Sequence, residues 1–227
     1  MALPEIADTL RLFDRKERHL VIQNCLGEGA TKLGKTFCDD LAKALVSRLL
    51  PPILDNAWWA TDYHLEWLAG ALIWNREHGR EDRERPRKDG DDLIRGNQED
   101  IDLIVASGRD VILVEAKGHL SWDNPQLTSK MRRLGTLCNR DTGIVAGGDP
   151  TSPIRLHFVL MSIRKPTKVN HEDWPTWTLS GNGPYWMPLQ ATGDRIRVGR
   201  CDSDGRADAK GGHWHMWREP EPKLPPS

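Results

Sequence analysis

Glu99-Asp-Ile-Asp-Leu-Ile-Val-Ala-Ser-Gly-Arg-Asp-Val-Ile-Leu-Val-Glu-Ala-Lys117 is the stretch from which the fold can be read. Ile101 to Ala106 and Val111 to Ala116 are short apolar runs rich in β-branched residues, and Ser107-Gly-Arg-Asp110 between them is turn chemistry. The pattern predicts two antiparallel strands and a tight turn. With Gly108-Arg109 as a two-residue loop, or four residues counting Ser107 and Asp110, paired positions keep a constant sum. That register sets Asp102 opposite Glu115 and Asp100 opposite Lys117. Alternation puts Asp100, Asp102, Ile104, Ala106, Val111, Leu113, Glu115 and Lys117 on one face, and Ile101, Leu103, Val105, Ile112, Val114 and Ala116 on the other.

Both faces are apolar near the turn, so the pair is expected to be covered on both sides, with the charged residues at the rim of a buried sheet. Two carboxylates directly opposite, with Cβ atoms roughly 5 Å apart, repel each other. Lys117 supplies a single positive charge. A hard divalent cation would resolve the repulsion, since Mg²⁺ is typically held by one or two carboxylates together with water and substrate phosphate. This is the outline of a metal-assisted phosphodiester site. The competing reading is a solvated rim salt bridge from Glu115 or Asp102 to Lys117, which is worth little.

An acid on one strand and acid-x-Lys on the next, here Asp102 and Glu115-Ala116-Lys117, resembles the PD-(D/E)xK nuclease superfamily, the restriction-endonuclease-like fold. The resemblance covers roughly residues 60 to 165, and Ile101 stands where the family's name places proline, a variable position. It implies an α/β (α+β) fold with a mixed β-sheet flanked by helices. It also implies Mg²⁺ (or Mn²⁺) held by Asp102 and Glu115, with Lys117 positioning or activating the attacking water.

Asn124-Pro125 reads as a helix start, with Asn as cap and Pro at the first helical position. Leu127, Met131 and Leu134 form an apolar stripe, and Gln126, Lys130 and Arg133 recur on another face, which would look toward the site. Some superfamily members carry Gln-x-x-x-Tyr in this helix. Gln126 keeps the first element, as a further catalytic residue, and Lys130 stands at the tyrosine position. Whether Lys130 takes over the tyrosine's role stays open; Lys130 and Arg133 are the expected substrate contacts. A solvated amphipathic face is the alternative.

Thr61 to Trp74 reads as a helix with a Thr cap, apolar nearly all round and therefore buried. Glu66 lies within it, and a buried carboxylate is costly unless paired or coordinated. The resemblance suggests Glu66 as a third metal ligand; a buried salt bridge is the other reading. Asp62 ranks lower, because a first-turn acid is accounted for by the helix dipole.

The chain has 227 residues, enough for one large domain or one domain with additions. Residues 1–56 read as a helical N-terminal extension, with helices over 4–26 and 35–50; the second carries Phe37, Leu41, Leu45 and Leu49 on one stripe. Residues 57–166 form the nuclease-like core, including a third strand over Leu156 to Ile163. Residues 167–218 are Trp-, Gly- and Pro-rich and β-like, with a strand-like piece at Arg195 to Arg200, and 219–227 is expected to be a disordered tail. The Trp residues could stack on unpaired bases, but plugging a small core is the commoner use. His213 and His215 share a strand face without any neighbouring Cys or His signature, so packed or exposed histidines are favoured over a metal pair.

Cys25, Cys38, Cys138 and Cys201 are scattered, which indicates neither a disulfide framework nor a zinc ribbon and fits a reducing cytosol. No apolar run approaches the ~20 residues needed to cross a membrane, and Met1 to Glu5 lacks a basic lead into an apolar stretch. The expectation is a soluble, cytoplasmic protein with no membrane partner. The net charge of −1 argues against strong indiscriminate nucleic-acid binding. In Arg76 to Arg95 acids nearly cancel bases, which reads as a solvated loop.

Together these readings predict a divalent-metal-dependent nuclease that hydrolyses phosphodiester bonds in DNA, in restriction, repair or defence. The alternatives are a catalytically inactive nuclease-like nucleic-acid-binding module and a protein-interaction module. A homodimer is left open, as are RNA against DNA and duplex, single-stranded or branched substrates.

Overall fold

The computed structural model describes residues 5–14, 16, 21–22, 24–25, 32–45, 54, 56–76, 94–96, 99–118, 122, 125–138, 154–167, 169–181, 183–190 and 195–219. Its centre is a five-stranded mixed sheet. Strands β1 (Trp58–His64), β2 (Asp100–Ser107) and β3 (Asp110–Lys117) are antiparallel neighbours, and β4 (Arg155–Ser162) and β7 (Trp186–Pro188) continue the sheet in parallel, in the order β1-β2-β3-β4-β7.

The central hairpin has the expected register. Leu103 pairs with Val114, Ile104 with Leu113, Val105 with Ile112, Ala106 with Val111 and Ser107 with Asp110. Gly108 has φ +58°, as the first central position of a type II′ turn requires.

The hairpin is buried on both faces, because helices cover each side. Helices α1 (Ile6–Phe13), α3 (Leu65–Arg76) and α4 (Pro125–Leu137) pack on the face that carries Ile104, Ala106, Val111, Leu113, Phe158 and Leu160. Helix α2 (Lys35–Ala44) covers Val105, Ile112, Val114 and Val159 with Cys38 and Leu41, joined by Leu45. Helices from residues 1–56 thus contribute to both layers of the core. The expected α4 stripe is present, with Leu127, Met131 and Leu134 all buried. Leu49 and Asn124 lie outside the described residues, as do residues 220–227 of the expected tail and the charged segment over 77–93; Glu219, placed in that tail, is the last residue of a strand.

A buried ion cluster ties the start of β4 to the hairpin turn. Asp110 accepts hydrogen bonds from Arg155 Nη2 at 2.5 Å and pairs with His157 Nε2 at 2.7 Å, and Asp110 and His157 are almost fully buried. Asp110 is the shared member, so removing it would leave both Arg155 and His157 without their partner, the costly way to disturb a buried pair.

The structure corrects the expected helix over Thr61 to Trp74. Trp58 to His64 is an edge strand paired antiparallel to β2, and the helix begins at Leu65. The aromatic and apolar residues that suit a buried helix also suit a strand buried against helices; Tyr63 is fully buried and donates its hydroxyl to the Leu10 carbonyl at 3.0 Å. Asp62 is therefore a strand residue and not a first-turn helix acid. Its φ is +52°, and it falls where the β1–β2 pairing is interrupted, between Thr61 with Leu103 and Tyr63 with Ile101. Past this point strict alternation also fails, for Ile101 joins the larger core cluster with Tyr63 and not the face of Leu103 and Val105.

Among described strands, β5 (Leu179–Ser180) pairs with β6 (Gly183–Pro184), and β8 (Arg195–Cys201) with β9 (His213–Glu219). Trp174 and Trp177 are buried in the larger core cluster, with Trp174 edge-on to Phe158. These two Trp residues plug a core, whereas Trp214 is exposed. His213 and His215 are exposed, His215 lying edge-on to Trp217.

A left-handed φ costs an L-residue roughly 1–2 kcal/mol, less for Asp than for Ala, and nothing steric for Gly. Asp62→Gly should therefore be more stable than Asp62→Ala by about 1 kcal/mol in urea denaturation. Equal stabilities would show that the variants do not keep this backbone geometry.

Candidate functional site

At the rim of β2 and β3, beyond the last ladder pair of Leu103 with Val114, the backbone pairing gives way to a side chain. Asp102 Oδ2 accepts the Ala116 backbone N–H at 2.7 Å. The Asp102 carboxylate is thereby fixed beside Glu115. Both line one pocket of about 270 Å³, together with Asp62, Glu99, Asp100, Ala116, Lys117, Trp122, Gln126, Leu127 and Lys130.

Glu115 is buried, and Lys130 Nζ donates to its Oε1 at 2.5 Å. Burial of the carboxylate raises its pKa most; Lys130 opposes the rise by its charge and hydrogen bond, the Asp102 charge adds to it, and Lys117 opposes it, leaving Glu115 at about 7. The Asp102 charge thus adds to a rise that burial of Glu115 sets.

The sequence-derived site residues separate into two groups. Asp102, Glu115, Lys117, Gln126 and Lys130 come together around the pocket, with Gln126 exposed and Lys130 buried. Glu66 and Arg133 are not among its lining residues. Glu66 Oε1 accepts the Arg95 backbone N–H at 2.7 Å and lies 3.6 Å from Arg133 Nη2. Arg133 is buried and donates from Nη1 to Glu99 Oε2 at 2.7 Å. The expected third ligand and one expected substrate contact therefore engage each other behind the site.

Three acids in the pocket were ranked low or passed over. Asp62 enters through its positive φ, which no propensity signals. Glu99 opens the quoted stretch. Burial alone would raise its carboxyl, but hydrogen bonds with Ser129 and Arg133, and the charges of Arg133 and Arg95, hold it below its ordinary range. Asp100, expected opposite Lys117, accepts from Lys16 Nζ at 2.8 Å and lies 2.8 Å from His64 Nδ1. The acidic run Glu99-Asp100-x-Asp102 was the available signal.

Among the described residues, no group of three or more His, Cys, Asp and Glu side chains is arranged to hold a metal ion. The donor set nevertheless fits a hard cation of the Mg²⁺ type, which needs only one or two carboxylates when water and phosphate complete its shell. Asp102 and Glu115 share the pocket, and the raised Glu115 pKa is an electrostatic load that such a cation would offset.

No helix among the described residues is long and apolar enough to cross a membrane. No family model, curated protein or solved structure matches the chain.

Glu115 in the folded protein keeps a proton that it would release at its ordinary value of 4.5 once unfolded, so its contribution to stability is greatest below that value and is lost as pH rises toward about 7. Asp102→Asn keeps an acceptor for the Ala116 N–H and removes the charge. The Glu115 midpoint, followed by side-chain carboxyl ¹³C shifts, should move downward in that variant. An unmoved midpoint would show that the two carboxylates do not interact.

Proposed function

We propose that this chain is a divalent-metal-dependent nuclease of the PD-(D/E)xK type that hydrolyses phosphodiester bonds in DNA, in a restriction, repair or defence setting. The observation that carries the reading is the convergence of Asp102, Glu115 and Lys117 on one pocket at the rim of a two-sided buried sheet.

Asp102 and Glu115 would hold Mg²⁺ or Mn²⁺. The ion supplies Lewis-acid stabilisation of phosphate charge and a more acidic water. Lys117 lines the same pocket and orients the attacking water, its cationic head offsetting charge on the phosphate. Lys130 holds Glu115 in place through their hydrogen bond, so its part in the site is positioning. Gln126, exposed on the first turn of α4, is placed to contact substrate at the pocket mouth. Arg133 acts one layer further back by fixing Glu99. Asp62 adds a further carboxylate from a backbone geometry that is costly to maintain, as strain often is at functional sites.

Two observations favour a second reading, a nuclease-like module without turnover. Lys130 already occupies Glu115 Oε1, and no group of three or more His, Cys, Asp and Glu side chains able to hold a metal is present among the described residues. In that case the pocket would serve binding or assembly.

Cleavage of duplex, single-stranded and branched DNA with and without Mg²⁺ separates the readings. The nuclease reading expects Mg²⁺-dependent cleavage by the wild type and a loss of about a hundredfold or more in Lys117→Ala, the scale of a positioned general base. Equal rates in both proteins, or no cleavage by the wild type with either Mg²⁺ or Mn²⁺, would overturn it.

A further inference from the structure

β8 and β9 form a two-stranded sheet of their own, a unit that is marginal without further packing. Their register pairs Ile196 with Arg218, Val198 with Met216 and Arg200 with Trp214, so these six side chains share one face. Ile196, Val198, Trp214 and Met216 are 67%, 66%, 67% and 57% exposed. The other exposed large apolar residues among those described, Leu12, Val21 and Ile94, are scattered over different segments. A contiguous exposed patch of this kind marks a binding surface.

The charges on and around the patch identify its partner. Arg200 and Arg218 sit diagonally across the face, which carries no carboxylate. In the connecting loop, Asp202 Oδ1 accepts the backbone N–H groups of Asp204 and Arg206 at 2.9 and 2.8 Å, and Asp208 Oδ1 accepts that of Lys210 at 2.9 Å. Those carboxylates shape the loop, and the third loop acid, Asp204, lies 3.6 Å from Arg206. A second copy docked face to face about a two-fold axis would set one basic, apolar face against another. An anionic polymer with flat apolar faces complements the patch instead: phosphates for Arg200 and Arg218, and a base plane for the Trp214 indole.

We infer that the Ile196–Val198–Arg200 and Trp214–Met216–Arg218 face of the β8–β9 hairpin binds single-stranded nucleic acid, by stacking an unpaired base on Trp214 and pairing phosphates with Arg200 and Arg218. Bases in a duplex are not available for this contact, so the surface selects unpaired strands. The inference goes beyond the reading of the acidic pocket and does not rest on it.

Fluorescence anisotropy of a labelled oligothymidylate with the full chain in EDTA tests this apart from any cleavage. Wild type should bind with an affinity that falls as salt rises. Trp214→Ala should weaken binding about tenfold, Arg200→Glu should weaken it and flatten the salt dependence, and Trp214→Phe should retain most of the affinity. These residues are exposed, so the variants should keep the wild-type circular dichroism. Unchanged affinity in folded Trp214→Ala would overturn the inference. So would equal binding of a duplex, or a wild-type dimer that Trp214→Ala converts to monomer without any oligonucleotide binding.

Discussion

The register of one hairpin governs the site. Gly108, with its positive φ, closes a two-residue turn, and from that turn onward every pair is determined as far as Leu103 with Val114, beyond which Asp102 and Glu115 enter one pocket. A slip by one residue would carry the apolar residues of each strand to the wrong helical layer and the acids to the opposite face, so both cores resist it. The buried cluster of Asp110 with Arg155 and His157 then fixes β4 against β3 beginning at the turn itself. Precision at the rim is inherited from packing and ion pairing at the other end of the strands.

That precision has an electrostatic cost. The same register that buries Ile104, Leu113 and Phe158 confines Asp102 and Glu115 to one pocket, and Lys130 only partly offsets the resulting load. Around this pair the protein holds other acids by separate means: Glu99 through Arg133, Asp100 through Lys16 and His64, Asp62 through a strained backbone. Such concentration of negative charge is not what a sheet rim needs for stability. It accords with a site meant to meet a cation.

The hairpin was legible because two independent signals, turn chemistry and the short β-branched apolar runs on either side of it, agree on one register. The stripe of α4 was legible for a similar reason. Trp58 to His64 was not, because its aromatic and apolar residues run without a break into those of the helix that begins at Leu65, and Thr61-Asp62 imitates a helix start. The partner of Glu66 was not legible either. Arg133 lies 67 positions further along the chain, and only the packing of α3 near α4 and Arg95 decides that this acid meets a guanidinium and not the pocket. Glu99 took its place at the pocket because Arg133 binds both acids from behind and Glu99 is the one at the mouth of β2.

The account turns on whether Asp102 and Glu115 together form a cation site. Mn²⁺ binding followed by electron paramagnetic resonance, in the wild type and in the Asp102→Asn/Glu115→Gln double variant, addresses that directly. The account requires the free-Mn²⁺ signal to fall on titration with wild-type protein and to stay unchanged with a folded double variant. Equal Mn²⁺ uptake by the two proteins, or none by the wild type, would contradict it.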